Sequence, residues 1–328
     1  MSQEAKPNVV NSIAELVGNT PMVRLNKYCP SLKHNIFGKC EFMNPGGSVK
    51  DRIAFHMVAE AEKSGRLKPG GTIIEATAGN TGIGLALVAA LRGYKLITVM
   101  SEKVSKDKVN LLRALGSETI VLPGGKPISD PEHFMNRART LAAETGAWLA
   151  DQFFNESNVE AHYQTTGPEI WEQMNGKVDA LVAGVGTGGT LTGAGGYLKE
   201  RNADVKIVLA DPVGSMLADL VKGEESSSSS YIVEGIGQDF VPGNFDTSLV
   251  DAVVQVSDAD AIGAAKELLR SEALFVGSSS GCIVSAAVTY GMGLEGAGKN
   301  IVAILPDGGR GYVSTIYDDE WLKAKLVR

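Results

Sequence analysis

Short apolar runs alternate with longer amphipathic ones along almost the whole chain. Runs at 36–42, 72–75, 95–100, 119–122, 148–151, 180–183, 206–210 and 300–305 have strand character. Two of them, Leu181-Val182-Ala183 and Ile207-Val208-Leu209-Ala210, lack any polar alternation, as strands covered on both faces of a parallel sheet do. Helical spacing of apolar residues marks 48–64, 80–92, 106–115, 131–144, 166–174, 190–200, 259–271 and 280–290. Strand and helix in alternation predict an α/β protein with mostly parallel sheets. A polar, Asn-containing break at 152–157 is where two lobes should divide, and the tract Glu224 to Ser230 should be a surface loop.

The helix predicted over 48–64 contains an anomaly. At about 100° per residue, Val49, Ile53, Ala54, Met57, Val58 and Ala61 fill one apolar arc, and Lys50 falls near its middle. Asp51, Arg52, Glu62 and Lys63 are expected on the opposite side, with Glu60 at the edge. Desolvating an ammonium disfavours its charge and lowers its pKa. A neutral lysine amine suits Schiff-base chemistry with a carbonyl. A lysine that snorkels to water or meets a buried carboxylate would give the same pattern, and this helix alone leaves both readings open.

Three further loops each join a strand to a helix. Glu75-Ala76-Thr77-Ala78-Gly79-Asn80-Thr81-Gly82 offers N–H groups and hydroxyls but no cation, which suits a carboxylate. The plainer reading makes Thr77 or Asn80 a helix cap. Gly184-Val185-Gly186-Thr187-Gly188-Gly189-Thr190 suits a phosphate. Its Gly184, Gly186 and Gly189 also satisfy G-x-G-x-x-G, with Asp211 ending the next strand, so an NAD-dependent dehydrogenase is a formal alternative. Gly277-Ser278-Ser279-Ser280-Gly281 opens the last long helix, where serine capping is the structural explanation.

Composition narrows the choice. A net charge of −7 and pI ≈ 5.3 argue against a nucleic-acid partner. Glycine, at 39 of 328 residues, is well above the usual ~7%, as expected where backbone closely approaches a ligand. Cys29, Cys40 and Cys282 are scattered and His34, His56, His133 and His162 have no ligand spacing, so neither disulfides nor a metal are expected. The start of the chain lacks a secretory pattern and the apolar run at 83–91 is too short to span a bilayer, so no membrane association and a cytoplasmic location are expected.

A Schiff-base lysine, a phosphate cradle and a carboxylate cradle together describe pyridoxal 5'-phosphate with an amino-acid substrate. From Gly18-Asn19-Thr20-Pro21 to Leu305-Pro306-Asp307-Gly308-Gly309 the chain resembles the cysteine synthase / cystathionine β-synthase family of fold-type II pyridoxal-phosphate enzymes. The resemblance implies a tryptophan synthase β-like architecture of two sheet-centred lobes. A smaller mobile lobe over 46–154 would carry the substrate loop, and a larger one, 8–45 with 155–328, would anchor the cofactor. It implies Lys50 as the Schiff-base lysine and Asn80 as partner of the cofactor's ring hydroxyl. Gly186, Thr187, Gly188, Gly189 and Thr190 would hold the phosphate, and Ser279 would face the pyridine nitrogen. Thr77, Ala78, Gly79, Asn80 and Thr81 would hold the substrate carboxylate with Gln152, and Gly235 would lie beside the substrate. Ala78 stands where the family usually has serine, and Gln238 where cystathionine β-synthases often have tyrosine.

The implied reaction is β-replacement on serine or O-acetylserine through an aminoacrylate. Val233-Glu234-Gly235-Ile236-Gly237 and Asp307-Gly308-Gly309-Arg310-Gly311-Tyr312, with Asp318-Asp319-Glu320-Trp321, look more like cystathionine β-synthase cores, and that resemblance implies homocysteine as nucleophile, giving cystathionine. Sulfide, giving cysteine, is the alternative. A non-catalytic binding module is a third class, opposed by the intact Lys50, Asn80 and Ser279. The family's habit implies a homodimer, and a chain ending at Arg328 is expected to lack the regulatory and haem-binding extensions of longer relatives.

Overall fold

Two sheets organise the chain in a computed structural model that describes residues 9–326 apart from 78, 103, 105, 125 and 127. Strands β1 (Met22–Leu25) and β2 (Asn35–Cys40) pair antiparallel. Next come β3 (Thr72–Ala76), β4 (Lys95–Ser101), β5 (Glu118–Leu122) and β6 (Trp148–Leu149), a parallel sheet in the order β5-β4-β3-β6. Finally, β7 (Ala180–Gly184), β8 (Lys206–Pro212), β9 (Ala252–Val256) and β10 (Asn300–Leu305) join the first pair in the order β1-β2-β10-β7-β8-β9. All neighbours in that larger sheet except β1 and β2 run parallel. The chain passes from the small sheet to the large one between Leu149 and Ala180.

The unbroken apolar strands have the predicted cause. Along β7 and β10, Ala180, Val182, Ile301, Ala303 and Leu305 enter one core cluster, while Leu181, Ala183, Val302 and Ile304 enter another. Alternate side chains therefore meet helices on opposite faces, and no position is left for a polar residue. Each such Val, Leu or Ile contributes roughly 1.5–3 kcal/mol of burial. The small sheet repeats the arrangement, with Ile73 in one cluster and Ile74 in the other.

Eleven helices surround these sheets among the described residues: α1 (Lys50–Lys63), α2 (Asn80–Arg92), α3 (Lys106–Ala114), α4 (Phe134–Thr145), α5 (Ser157–Ala161), α6 (Gly167–Gln173), α7 (Gly189–Arg201), α8 (Leu217–Lys222), α9 (Asp258–Glu272), α10 (Ser278–Met292) and α11 (Asp319–Leu326). None of the described helices is long and apolar enough to cross a membrane. Glu224 to Ser230 runs along the surface without regular structure, as expected. The apolar periodicity missed α5, α8 and α11, which are short, and β1 and β9, which are half-buried edge strands with one neighbour each.

One expectation is corrected. Asp51 and Arg52 do not face away from the core: both are buried. Asp51 accepts from the Gly46 N–H and is raised by burial to about 7, while Arg52 is paired internally. Arg52 donates to Glu41 at 2.7 and 2.8 Å and to both oxygens of Glu169 at 2.7 Å. The buried Lys39 adds bonds to Glu169 (2.6 Å), the Thr20 carbonyl (2.8 Å) and Gln173 (3.0 Å). Charges can be buried when each finds a partner, a condition no helical wheel can represent.

Candidate active site

Lys50 is placed by its backbone. Gly47, at φ +82, is left-handed and closes a turn onto the Asn44 carbonyl. The Val49 N–H then donates to the Pro306 carbonyl at 2.8 Å, and Ser48 bridges to Asp307, which ties the start of α1 to the end of β10. Ligands of open α/β sheets bind beyond such carboxyl ends. The side chain of Lys50 opens into a cavity of about 950 Å³, at the upper end of the ~300–1,000 Å³ usual for small-molecule sites.

That cavity gathers most of the residues singled out in the sequence. Lys50, Thr77, Gly79, Asn80, Thr81, Gln152, Gly186, Thr187, Gly235 and Ser279 all line it. An adjoining space of about 30 Å³ is lined by Lys50, Gly186, Thr187, Gly188, Thr190 and Gly235. Gly189 lines neither; it begins α7 behind the loop. Ala78 lies outside the described residues.

Burial lowers the Lys50 amine from its ordinary range to about 8, and the Asp307 carboxylate nearby pulls it the other way. Half-buried by exposed area, Lys50 loses solvent because protein surrounds its amine, and its exposed part faces the cavity. Asn80 donates to Asp307 Oδ2 at 2.8 Å, and the Tyr312 hydroxyl donates to the same oxygen at 2.7 Å. Burial raises the Asp307 carboxyl above the usual range. Neither Asn80 nor Thr77 caps α2. The cap position is Gly79, which has no side chain to accept from the first turn, and Thr77 Oγ1 accepts from the Gly79 N–H at 3.2 Å. Thr81 donates to Gln152 at 2.5 Å, so the two halves of the expected carboxylate cradle are in contact.

The phosphate-type loop is equally specific. A side chain at Gly186 would meet the Gly235 carbonyl at 2.2 Å, and Gly188 holds φ +91. The N–H groups of the first turn of α7 have no partner within the helix and point back toward the loop. Thr187 accepts from Asn158 at 2.9 Å, which leaves its own proton to donate. Thr190 meets His162 at 3.1 Å, and burial, with Arg52 and Lys50 adding to it, drives that imidazole down to about 3 and keeps it neutral. An enclosed amine lowered to about 8, and so readier to give up its proton than an ordinary lysine, fits pyridoxal phosphate beside this cradle. The serines at 278–280 do not cap α10 either; Ser278 Oγ accepts from the Glu234 N–H at 3.0 Å.

The dehydrogenase alternative fails on Asp211. It is wholly buried and accepts from the Ala218 N–H at 2.9 Å, so it serves the start of α8 and cannot reach a ribose. Sequence reasoning assigned no role to Asp307, Tyr312, Lys108 or Glu234, all of which line the cavity. Glu234, Asp307 and Tyr312 stood within motifs quoted from the sequence but were given no contact there, and Lys108 carried no signal.

Comparison with known proteins agrees with this geometry. Residues 13–307 match the family described as pyridoxal-phosphate dependent enzyme. Cystathionine beta-synthase of Mus musculus is 45% identical over 322 residues, which is 97% of this chain and 57% of that protein. Cysteine synthase 1 of Emericella nidulans is 43% identical over 97% of this chain and 88% of its own length. The crystal structure of O-ureido-L-serine synthase superposes with a TM-score of 0.87 at 37% identity, covering 98% of this chain and all of that one. This chain thus spans little more than half the length of the mouse relative. With the family match covering most of its residues, the chain belongs to the pyridoxal-phosphate dependent enzymes.

Proposed function

We propose that this protein catalyses β-replacement on serine or O-acetylserine, with homocysteine as the nucleophile and cystathionine as product. The observation that carries the reading is the Lys50 amine, lowered to about 8, opening into one cavity with the Gly186–Thr187 loop and the Asn80–Thr81 loop. Pyridoxal phosphate, when bound, supplies the aldehyde that bonds this amine and the ring that takes up electrons from the amino acid. The glycine-rich loop and Thr187, Gly188, Gly189 and Thr190 would hold its phosphate, Asn80 its ring hydroxyl, and Ser279 would face the ring nitrogen. A serine there carries no negative charge to keep that nitrogen protonated, so the ring is a milder electron acceptor.

Thr77, Gly79, Thr81 and Gln152 would fix the carboxylate of the donor amino acid, with Gly235 closing the side. Lys50, once free, would take the proton from the donor's Cα. The β-oxygen would leave as acetate from O-acetylserine, or from serine as hydroxide that becomes water with the proton given up by the homocysteine thiol. The thiolate sulfur would form the new bond to the β-carbon, the thiol proton passing to solvent when acetate is the leaving group, and Lys50 would return its proton to Cα. General acid–base work is best done by a group titrating near the working pH, as the value near 8 allows.

The four-stranded sheet, whose strands fall between Thr72 and Leu149, supports a smaller lobe over 46–154 that moves against the remainder. We also propose that the protein works as a homodimer. Sulfide as nucleophile is the second reading, supported by the likeness to a cysteine synthase over 88% of that protein's length. Product analysis with either donor, offering homocysteine and sulfide in competition, decides between them. Cystathionine should dominate. Sulfide consumption faster by orders of magnitude would reverse the assignment.

A further inference from the structure

Lys108 and Glu234, two of the charged side chains that line the cavity, are given no part in the donor and cofactor contacts proposed above. Lys108 comes from α3, beside the small sheet, and Glu234 from the loop that carries Gly235. They are ion-paired with each other across the cavity. Each is fixed from behind. The Glu234 N–H is held by Ser278 Oγ at 3.0 Å, one residue before Ser279. The Lys108 ammonium lies 5.7 Å above the ring of Tyr312, whose hydroxyl is anchored on Asp307 at 2.7 Å.

We propose that Lys108 and Glu234 receive the α-carboxylate and α-ammonium of a thiol-bearing amino acid, the second substrate of the β-replacement proposed above, on which this inference rests. With side chains 30% and 42% exposed, the pair is accessible to an incoming molecule and contributes little to stability. A zwitterion that enters between them offers a carboxylate to Lys108 and an ammonium to Glu234. Electrostatic complementarity of this kind selects a partner. The carboxylate cradle at Thr77, Gly79, Thr81 and Gln152 contains no cation, so the donor does not compete for Lys108. A head group held here leaves its thiol to reach toward Lys50 and the cofactor. Sulfide, as hydrogen sulfide or its hydrosulfide anion, carries no ammonium beside a carboxylate and so cannot satisfy both members of the pair.

The alternative role is a latch that holds α3 to the loop at 234–237, and it predicts a different result. In holoenzyme carrying Lys108→Met or Glu234→Gln, the ratio of kcat/KM for homocysteine to that for sulfide should fall roughly 10- to 100-fold, as for loss of one charge-assisted hydrogen bond. Most of the change should lie in the KM for homocysteine. Cystathionine binding, measured calorimetrically, should weaken in parallel. A latch would lower both activities together and leave the ratio unchanged, which overturns the assignment. If Lys108→Met does not fold, Glu234→Gln on its half-exposed loop gives the same reading. Absence of cystathionine from the wild-type reaction overturns the homocysteine reading, and this assignment with it. Wild-type cystathionine synthesis with an unaltered ratio in the variants overturns this assignment alone.

Discussion

Lys50 owes its chemistry to two opposed influences. Burial favours the neutral amine, while the Asp307 carboxylate favours the ammonium, and burial wins. Covalent capture of pyridoxal phosphate by the cofactor-free protein should therefore rise with pH and be half-maximal near 8. Replacing Asp307 with Asn removes the carboxylate that favours the ammonium, so the midpoint should move to lower pH. Absorbance of the bound cofactor against pH measures both, and a midpoint unchanged or raised in Asp307→Asn contradicts this account. The anomaly of Lys50 was legible in the sequence, because a single lysine interrupts an apolar arc. Its counter-charge was not legible, since Asp307 comes beside it only through the pairing of Val49 with Pro306 at the end of β10.

At the scale of elements, the loop before α7 is shaped by what its glycines lack. A methyl group at Gly186 would overlap the Gly235 carbonyl, which lies 2.2 Å from where Cβ would stand. Backbone cannot yield as a flexible side chain can, so Gly186→Ala should push the 234–237 loop away from the glycine-rich loop proposed to hold the phosphate. Overpacking of this kind typically costs about 1–3 kcal/mol. Affinity for pyridoxal phosphate should fall roughly 5- to 100-fold, while circular dichroism of the apoprotein stays close to that of the wild type. Unchanged affinity in an equilibrium titration would mean that the two loops are not coupled. Here the sequence was most informative: α2 was expected over 80–92 and spans Asn80–Arg92. It failed at the junction of α5 and α6. A π-helical turn, His162–Thr166, connects them and brings His162 against Thr190, and no apolar period encodes such a turn.

Across the whole molecule, buried ionisable groups set opposing pH limits. Arg52 and Lys39 hold Glu169 down to about 2 despite its burial, so its contribution is present above the ordinary carboxylate range and lost as pH falls from 4.5 through 2. His162, kept neutral with a value near 3, likewise loses stability for the fold as pH falls below 6.5. Glu75 acts in the reverse sense. Wholly buried beneath the Thr77 loop and close to Asp151, it is raised from 4.5 to about 8, so the folded state keeps a proton that the unfolded state has released. Stability should therefore decline as pH rises across that interval. Glu75→Gln should remove the decline, gaining on the wild type by on the order of 1 kcal/mol per pH unit between about 5 and 8. Denaturant midpoints at the two ends of that range test this, and a constant difference between variant and wild type would refute it.

The sequence by itself determined the α/β alternation, the doubly covered strands and the loops that carry the site, because periodicity and glycine placement act over a few neighbouring residues. Only the tertiary structure decided where the charges go. Arg52 and Asp51 turn inward because Glu41, Glu169 and the Gly46 N–H await them. Lys108 faces Glu234 because α3 and the 234–237 loop border one cavity. A charge is buried or exposed according to the partners it meets, and Glu169 for Arg52 and Glu234 for Lys108 are distant in the chain and adjacent only in the fold.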